Sequence, residues 1–254
     1  TRAPEPPAHS STGPAIVSYQ RRVPRRTQPG TPSFSASPDQ PIVVLAEAVS
    51  GSEAVHERFG PAYSICQPVD ELKDSAGFSA AFRDAMARRE TKLWERLSLL
   101  YPNSEPTPED VIFMDIETTG LGSATLFLIG VMVWHRDGLE VRQYLARNYA
   151  EEAAVISLFA DDCGTRLLLI TFNGKSFDLP FIRNRALVTG VPFAAELRHF
   201  DLLHESRRVW KDALPNCKLQ TLERFVCKRL RHGDIPGDQI ADAYHTYVRS
   251  GDAR

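Results

Sequence analysis

Two acidic residues stand two positions apart where an apolar stretch ends. The stretch VIFMDIETTGLG, residues 111–122, opens with apolar and β-branched residues that predict a buried strand. Alternate residues of a strand point to the same face, so Asp115 and Glu117 should lie side by side. Like charges repel, and burial increases the cost of ionising both. Such a pair at a strand end predicts a site for a hard divalent cation. The strand runs directly into a turn that contains Thr118, Thr119, Gly120 and Gly122.

A second candidate site is the stretch TFNGKSFDLPF, residues 171–181. It follows a predicted buried strand, and ligands of open α/β sheets bind at such strand ends. Asp178 lies near the start of the next predicted helix, where the helix dipole favours a carboxylate. Asn173 and Lys175 lie in the connecting turn, and we expect them to contact a phosphate or a sugar. The GKS sequence here lacks the earlier glycine of a P-loop.

The predicted elements that position these residues are three strands followed by a mixture of helices and strands. Predicted strands cover residues 111–117, 125–135, 139–146 and 166–172, and the second and third form a hairpin. A short strand runs into a helix over 199–210. The remaining helices are predicted at 79–102, 151–162, 176–190, 218–230 and 239–251. This order predicts an α/β architecture, a mixed sheet covered by helices.

The composition divides the chain into three parts. Residues 1–41 hold nine of the 18 prolines and few large apolar residues, which predicts a disordered tail. Its RRVPRR sequence is either a solvated segment or a weak nucleic-acid contact. Residues 42–107 form an N-terminal extension with a long helix, and residues 108–254 form the main domain.

The overall composition is that of a globular protein. Of 254 residues, 43% are hydrophobic and 24% are charged, and the formal net charge is −2. No apolar run reaches the roughly 18 residues that a membrane helix needs. The four cysteines have no CxxC spacing, which favours reduced thiols in a cytoplasmic protein.

Several phrases of the main domain resemble one family. DIETTG followed by NGKSFDLPF is similar to the DEDD-type 3′–5′ exonucleases, which have the ribonuclease-H-like fold. The resemblance is closest to the bacterial YprB-type ribonuclease-H-like domain. It extends through the phrases FLIGVMV, VRQYLAR, HFDLLHESRRVWK, LPNCKLQTLERFV and GDIPGDQIADAYHTYVRSGDAR.

The resemblance implies metal-dependent hydrolysis of phosphodiester bonds at single-stranded 3′ ends of DNA or RNA. It implies two Mg²⁺ or Mn²⁺ ions in the complete site, and oxygen ligands suit these cations. By the same resemblance, Asp115, Glu117 and Asp178 are three of four metal-binding, catalytic carboxylates. Thr118, Thr119 and the Gly120 backbone correspond to the turn that contacts the terminal nucleotide. Endonuclease activity on the same metals and a non-catalytic nucleic-acid-binding module are the alternatives.

The fourth carboxylate of the family lies on a later helix, four or five residues after a His or Tyr. This sequence ends with GDAR at residue 254, so we expect a truncated domain with weak or no activity. Substitution by Asp252, which follows His245 and Tyr247, is the less favoured alternative because Gly251 should end the helix before it.

Two further features have both a structural and a functional interpretation. Asp201 is expected to cap a helix or to support the site, with direct metal ligation as the alternative. His199 and His204 are expected in packing or phosphate contacts. Residues 198–231 contain nine Lys or Arg against four acids, a net +5, which is either a solvated face or a wall that follows a phosphate backbone.

Overall fold

The computed structural model describes residues 41–101, 105–120, 124–164, 166–194, 197–230, 235–237 and 239–254. The predicted disordered tail lies outside the described residues except for Pro41. Gly122 of the predicted turn and Arg231 of the basic stretch also lie outside them.

One mixed sheet of seven strands organises the described residues. The strands are β1 (Ser52–His56), β2 (Gly60–Pro68), β3 (Val111–Thr118), β4 (Leu126–His135), β5 (Gly138–Leu145), β6 (Leu168–Thr171) and β7 (Arg198–Asp201). Their order in the sheet is β1-β2-β5-β4-β3-β6-β7. The pairs from β1 to β3 are antiparallel, whereas β6 is parallel to both β3 and β7. The predicted mixed sheet is therefore confirmed.

The helices cover both faces of this sheet. They are α1 (Leu45–Ala48), α2 (Phe78–Ala87), α3 (Lys92–Ser98), α4 (Glu152–Gly164), α5 (Asp178–Thr189), α6 (Leu202–Trp210), α7 (Leu219–Phe225) and α8 (Ile240–Ser250). Short 3₁₀ turns occur at Val69–Glu71, Pro108–Asp110 and Tyr149–Glu151.

The alternation of side chains along β3 explains why both faces are covered. Ile112, Met114 and Ile116 point into the larger core, which also contains residues of α4, α5 and α8. Val111 contributes to a second core with β6, β7, α2 and α3. A central strand that is apolar on both faces has to be covered by helices on both sides.

Strands β1 and β2 belong to the predicted N-terminal extension, and they continue the sheet beyond β5. Helices α2 and α3 of the extension cover one face through Met86, Trp94 and Leu97. Several contacts therefore connect the extension with the main domain, although the boundary at residues 107 and 108 stays a prediction.

The prediction of one helix over 79–102 was wrong. The chain leaves the helical conformation at Arg88 (ψ 98°) and is extended at Thr91 (ψ 148°), so α2 and α3 are separate. The Thr91 hydroxyl caps α3 by accepting a hydrogen bond from the Trp94 N–H (3.1 Å). The Arg89 guanidinium lies 3.8 Å from the Trp94 ring, which stabilises the turn between the helices.

The helix predicted at 218–230 is also shorter than expected. It ends at Phe225, and the Val226 and Cys227 N–H groups both donate to the Leu222 carbonyl. Lys228 then adopts a positive φ of 56°, which no α-helix continues. By contrast, Gly190 and Gly251 end α5 and α8 in the left-handed conformation, as predicted.

We predict that Thr91→Ala lowers the free energy of unfolding by about 1 kcal/mol, because the Trp94 N–H loses its acceptor. Chemical denaturation measures the change. Thr91→Ser keeps the hydroxyl and should lose much less stability. Equal stability of the two variants would show that the cap contributes nothing.

Candidate active site

A crevice forms where β3 extends past its partner β6. The parallel pairing joins Val111–Phe113 to Leu168–Ile170, and β3 then continues to Thr118 beside β4 alone. Helix α5 begins next to this unpaired edge. The Asp178 carboxylate, at the first position of α5, lies close to the Ile116 backbone N–H, which acts to lower its pKa. This contact joins the two predicted sites.

The three predicted carboxylates share this crevice but differ in exposure. Asp115 is exposed, Glu117 is half-buried, and Asp178 is only 4% exposed. Asp115 and Glu117 lie on the same face of β3, as their spacing predicts. The structure therefore brings the acids of both sequence motifs together.

Each carboxylate alters the protonation of its neighbours. Burial, followed by the charges of Asp115 and Asp178, raises the pKa of Glu117 to about 7. Burial and the Asp115 charge also raise the pKa of Asp178 to about 6, although hydrogen bonds from its own N–H and the Ile116 N–H act in the opposite direction. Raised carboxyl pKa values show that these like charges interact across a partly desolvated crevice.

The donor chemistry of the crevice fits a hard cation. Carboxylate oxygens are the ligands that Mg²⁺ and Mn²⁺ prefer, and a cation relieves the repulsion that raises the two pKa values. However, the described residues contain no group of three or more His, Cys, Asp or Glu side chains arranged to hold a metal ion. The crevice therefore contains carboxylates suited to such a cation, but these side chains are not arranged to coordinate it.

The turn after β3 is held together by its own threonines. The Thr118 hydroxyl donates to the Gly120 carbonyl (2.8 Å). The Thr119 N–H donates to the Thr125 carbonyl (2.9 Å), and the Thr119 hydroxyl accepts from the Thr125 N–H (2.9 Å). The predicted substrate-binding residues Thr118, Thr119 and Gly120 thus lie beside Glu117, and their contact with a nucleotide stays a prediction.

Asp201 organises the turn that precedes α5. Its carboxylate accepts hydrogen bonds from the N–H groups of Asn173 (2.9 Å), Lys175 (3.0 Å) and Leu203 (3.0 Å). The last of these confirms the predicted cap of α6. Burial acts to raise the pKa of Asp201, but the backbone donors outweigh it and hold the pKa below its usual value. Asp201 therefore supports the turn that carries Asn173 and Lys175.

Thr171 and Gly174 are structural residues of this turn that the sequence did not single out. The Thr171 hydroxyl accepts from the Gly174 N–H (3.1 Å) and lies 2.8 Å from the His199 Nε2. A Cβ at Gly174 would lie 2.5 Å from the Thr171 Oγ1, so only glycine fits there. Burial, followed by the Lys175 charge, lowers the pKa of His199 to about 4. His199 is therefore a neutral packing residue at pH 7.

The residues near the chain end that could replace missing site residues contact groups other than the three carboxylates. Asp252 accepts hydrogen bonds from Arg254, with Nη2 at 2.6 Å from Oδ2, and from the Val43 N–H (3.4 Å). The His245 Nδ1 lies 2.6 Å from the Tyr149 hydroxyl. Glycine at position 251 ends α8 before Asp252, as expected. These contacts agree with the expectation that Asp252 does not replace a fourth site carboxylate.

The basic stretch is exposed over most of its described length. Exposed cations on and around α6 and α7 are Arg207, Arg208, Lys211, Lys218, Arg224, Lys228 and Arg229. Arg208 lies 3.6 Å from Glu205, and Arg198 stacks on the Tyr101 ring at 4.4 Å. This surface is accessible to a polyanion such as a phosphate backbone.

A family model of the RNase_H superfamily matches residues 112–254, which is more than half of the chain. The chain belongs to the RNase_H superfamily. The matched segment includes β3, the turn before α5 and every predicted carboxylate. Membership in this superfamily supports a nuclease-type hydrolase that binds nucleic acid, and such nucleases generally use divalent metal ions.

Two individual proteins are also similar to this RNase_H superfamily member. "Uncharacterized protein YprB" of Bacillus subtilis (strain 168) is 32% identical over 165 residues. The match covers 62% of this chain and 40% of that protein, so the chain spans well under half of its relative. The family B DNA polymerase of the hyperthermophilic archaeon Pyrobaculum calidifontis is 18% identical with a TM-score of 0.47, over 59% of this chain and 23% of the polymerase.

Sequence reasoning missed one pair of residues beside the crevice. Neither Glu152 nor Arg185 was singled out as a site residue from the sequence. The structure places them in a buried ion pair between α4 and α5, with 2.6 Å between Arg185 Nη2 and Glu152 Oε2. The sequence signal was a second acid in the first turn of a helix whose start is otherwise apolar.

Membrane insertion has no support in the helices. Among the residues that the structure describes, no helix combines the length and apolar character needed to cross a bilayer.

We predict that Glu117→Gln stabilises the metal-free protein at pH 8 by about 1–2 kcal/mol, a value discounted for the partial exposure of this side chain. The folded pKa of about 7 lies above the ordinary 4.5. The unfolded chain therefore releases the proton first as the pH rises, and the free energy of unfolding falls between about pH 4.5 and 7.

Denaturation in chelator at pH 4 and pH 8 measures this difference. The advantage of Glu117→Gln should be small at pH 4 and full at pH 8. Glu57→Gln serves as the control, because Glu57 is exposed and distant from Glu117 in the sequence. Its gain in the free energy of unfolding should differ little between the two pH values. A gain for Glu117→Gln that is equal at both pH values would contradict the proposed charge repulsion.

Proposed function

We propose that this domain is a metal-dependent 3′–5′ exonuclease that hydrolyses phosphodiester bonds of single-stranded DNA or RNA. The observation that carries the proposal is the meeting of Asp115, Glu117 and Asp178 in one crevice, where their charges raise the pKa values of Glu117 and Asp178. Isolated surface acids have no reason to gather at such a cost. Membership in the RNase_H superfamily supports the same reaction class.

Asp115, Glu117 and Asp178 would hold Mg²⁺ or Mn²⁺, two ions in the complete site. Such a pair of ions lowers the pKa of water and stabilises the charge that develops on the attacking and leaving oxygens. The protein supplies the framework for this chemistry. β3 and β4 hold Asp115 and Glu117 on one strand face, and α5 places Asp178 at its first position beside Ile116 of β3.

The two turns beside the carboxylates are proposed to bind the substrate end. Thr118, Thr119 and the Gly120 backbone would contact the terminal nucleotide, since their turn directly follows Glu117. Asn173 and Lys175 would contact phosphate or sugar from the other side. Asp201 keeps these two residues in place by accepting their backbone N–H groups, so it acts as a support of the binding turn.

The exposed basic stretch favours a second candidate, a nucleic-acid-binding module without catalysis. Its cations are mostly solvent-accessible, and a phosphate backbone binds such surfaces with strong salt dependence. The choice between catalysis and binding alone also depends on whether a fourth carboxylate completes the site. Among the described acids, Asp201 is occupied by backbone donors and Asp252 by Arg254. We therefore expect the activity of this chain by itself to be weak.

A cytoplasmic location is part of the same proposal. Cys66, Cys163, Cys217 and Cys227 are all thiols without a disulfide bond, as is usual in a reducing compartment.

We predict that Mn²⁺ or Mg²⁺ raises the melting temperature of the full-length protein and supports its stepwise shortening of a 5′-labelled single-stranded oligonucleotide. Asp178→Asn should reduce the cleavage rate by at least about 100-fold, since it removes a buried metal-binding charge. Asp161→Asn, which changes an exposed acid on α4, is the matched control and should cleave normally. Gel electrophoresis of the products over time measures both rates.

The same substrates separate the alternatives. Cleavage of a closed circular single strand would favour the endonuclease. Salt-sensitive binding that persists in chelator, with no cleavage even by the full-length protein, would favour the non-catalytic module. An Asp178→Asn variant that cleaves like the unchanged protein would overturn the proposed site.

A further inference from the structure

The most enclosed ion pair near the crevice joins α4 to α5. Arg185 of α5 donates twice to Glu152 of α4, with Nε at 2.7 Å from Oε1 and Nη2 at 2.6 Å from Oε2. The side chains are 12% and 5% exposed. A bidentate pair of this kind fixes the relative orientation of the two groups as well as their distance.

Glu152 also holds the start of β4. Its Oε1 accepts a hydrogen bond from the Leu126 N–H at 2.8 Å. Leu126 is the first residue of β4 and pairs with Thr118 of β3. The register of the β3–β4 pairing shifts between Glu117 and Thr118. The irregular end of the β3–β4 ladder, which carries Glu117, is therefore tied to Glu152.

Arg185 holds the other side of the crevice. It lies two helical turns after Asp178 on α5, so both residues face the same side of the helix. Because Arg185 and Asp178 belong to the same helix, the ion pair that restrains Arg185 also restrains the position of Asp178. One carboxylate, that of Glu152, thus connects the strand end at Glu117 with the helix that carries Asp178.

We propose that the Glu152–Arg185 pair is a positioning device that sets the spacing between Glu117 and Asp178, and so the geometry in which the crevice receives its divalent cations. This inference rests on the proposed metal-dependent function, but its structural part does not depend on it. Neither residue touches the substrate or the metal in this role.

The cost of burying charges argues for such a role. Apolar side chains of similar volume often replace a buried ion pair without loss of stability. They hold helices together, but they accept no hydrogen bond from the Leu126 N–H and impose no fixed angle. The observed pair supplies both the acceptor and the angle at the point where the ladder becomes irregular.

The preceding residue provides a matched control. Glu151 is 8% exposed and forms a partly buried ion pair with Arg147 (2.7 Å), which also reaches Glu53 of β1. The carboxylate also accepts from the Arg147 N–H. These contacts lead to β1 and to the segment just after β5, so Glu151→Gln breaks a neighbouring, somewhat more exposed pair with no direct contact to the three carboxylates.

The Ile116 amide reports the spacing without any metal, because it lies close to the Asp178 carboxylate and acts to lower its pKa. We expect Glu152→Gln to increase the hydrogen-exchange rate of this amide by at least about 10-fold in chelator, since the contact loosens when α5 shifts. Glu151→Gln should change the rate by less than about 2-fold. NMR-detected hydrogen exchange measures both.

Calorimetric titration with Mn²⁺ then tests the functional part. Glu152→Gln should weaken Mn²⁺ binding by about 10- to 100-fold, the usual effect of losing a residue that orients metal ligands, and Glu151→Gln should not. If Glu152→Gln does not fold, the paired variant Glu152→Met/Arg185→Met replaces it, because it restores packing without restoring the acceptor. Arg185→Lys, which keeps the charge but loses the bidentate geometry, should show an intermediate effect.

The outcomes separate the two proposals. If the unchanged protein neither binds Mn²⁺ nor cleaves nucleic acid, the proposed function fails, while the Ile116 exchange still tests the positioning role. If the Glu152 and Glu151 variants show the same Ile116 exchange, the positioning role is overturned, whatever the metal binding.

Discussion

Electrostatic repulsion among three carboxylates is the constraint on which the rest of the structure depends. Asp115, Glu117 and Asp178 are held in one crevice, although burial and neighbouring charges disfavour the ionised forms of Glu117 and Asp178. Such an arrangement persists only where the surrounding fold stabilises it more than the charges destabilise it. The large core beneath β3 supplies this stabilisation.

The topology of the sheet explains why the three carboxylates meet at this edge. β6 is parallel to β3 and ends earlier, so β3 projects beyond it. The next helix must begin at this edge, and its first residue is Asp178. The N-terminal end of a helix stabilises a carboxylate there, which offsets part of the cost of bringing a third acid to the pair on β3. The crevice is therefore a consequence of strand order and unequal strand length.

Buried polar side chains complete the framework around the crevice. Asp201 holds the turn before α5 through backbone N–H groups, and Glu152 connects the start of β4 to Arg185. These acids accept hydrogen bonds from backbone or guanidinium donors, whereas Glu117 lies beside two other carboxylates. The same residue type thus serves two purposes, because acids with hydrogen-bond donors support the structure, whereas the crowded acids are the proposed ligands of a cation.

The sequence by itself determined the main strands, most helices and the three carboxylates of the candidate site. These features depend on local patterns, namely alternation along β3, acids at strand and helix ends, and glycine at positions 190 and 251. The break between α2 and α3 was not predicted, because Met86 and Leu97 continue an apolar period that both helices direct into one core.

Only the tertiary structure decided which acids interact and which support them. Asp115 and Asp178 are far apart in the chain, and Glu152 reads as an ordinary acid in the first turn of a helix. Their roles depend on distances between α4, α5 and the end of β3, which no local pattern specifies. The protonation of Glu117 likewise depends on burial and on a charge from another element, so it is a property of the folded chain.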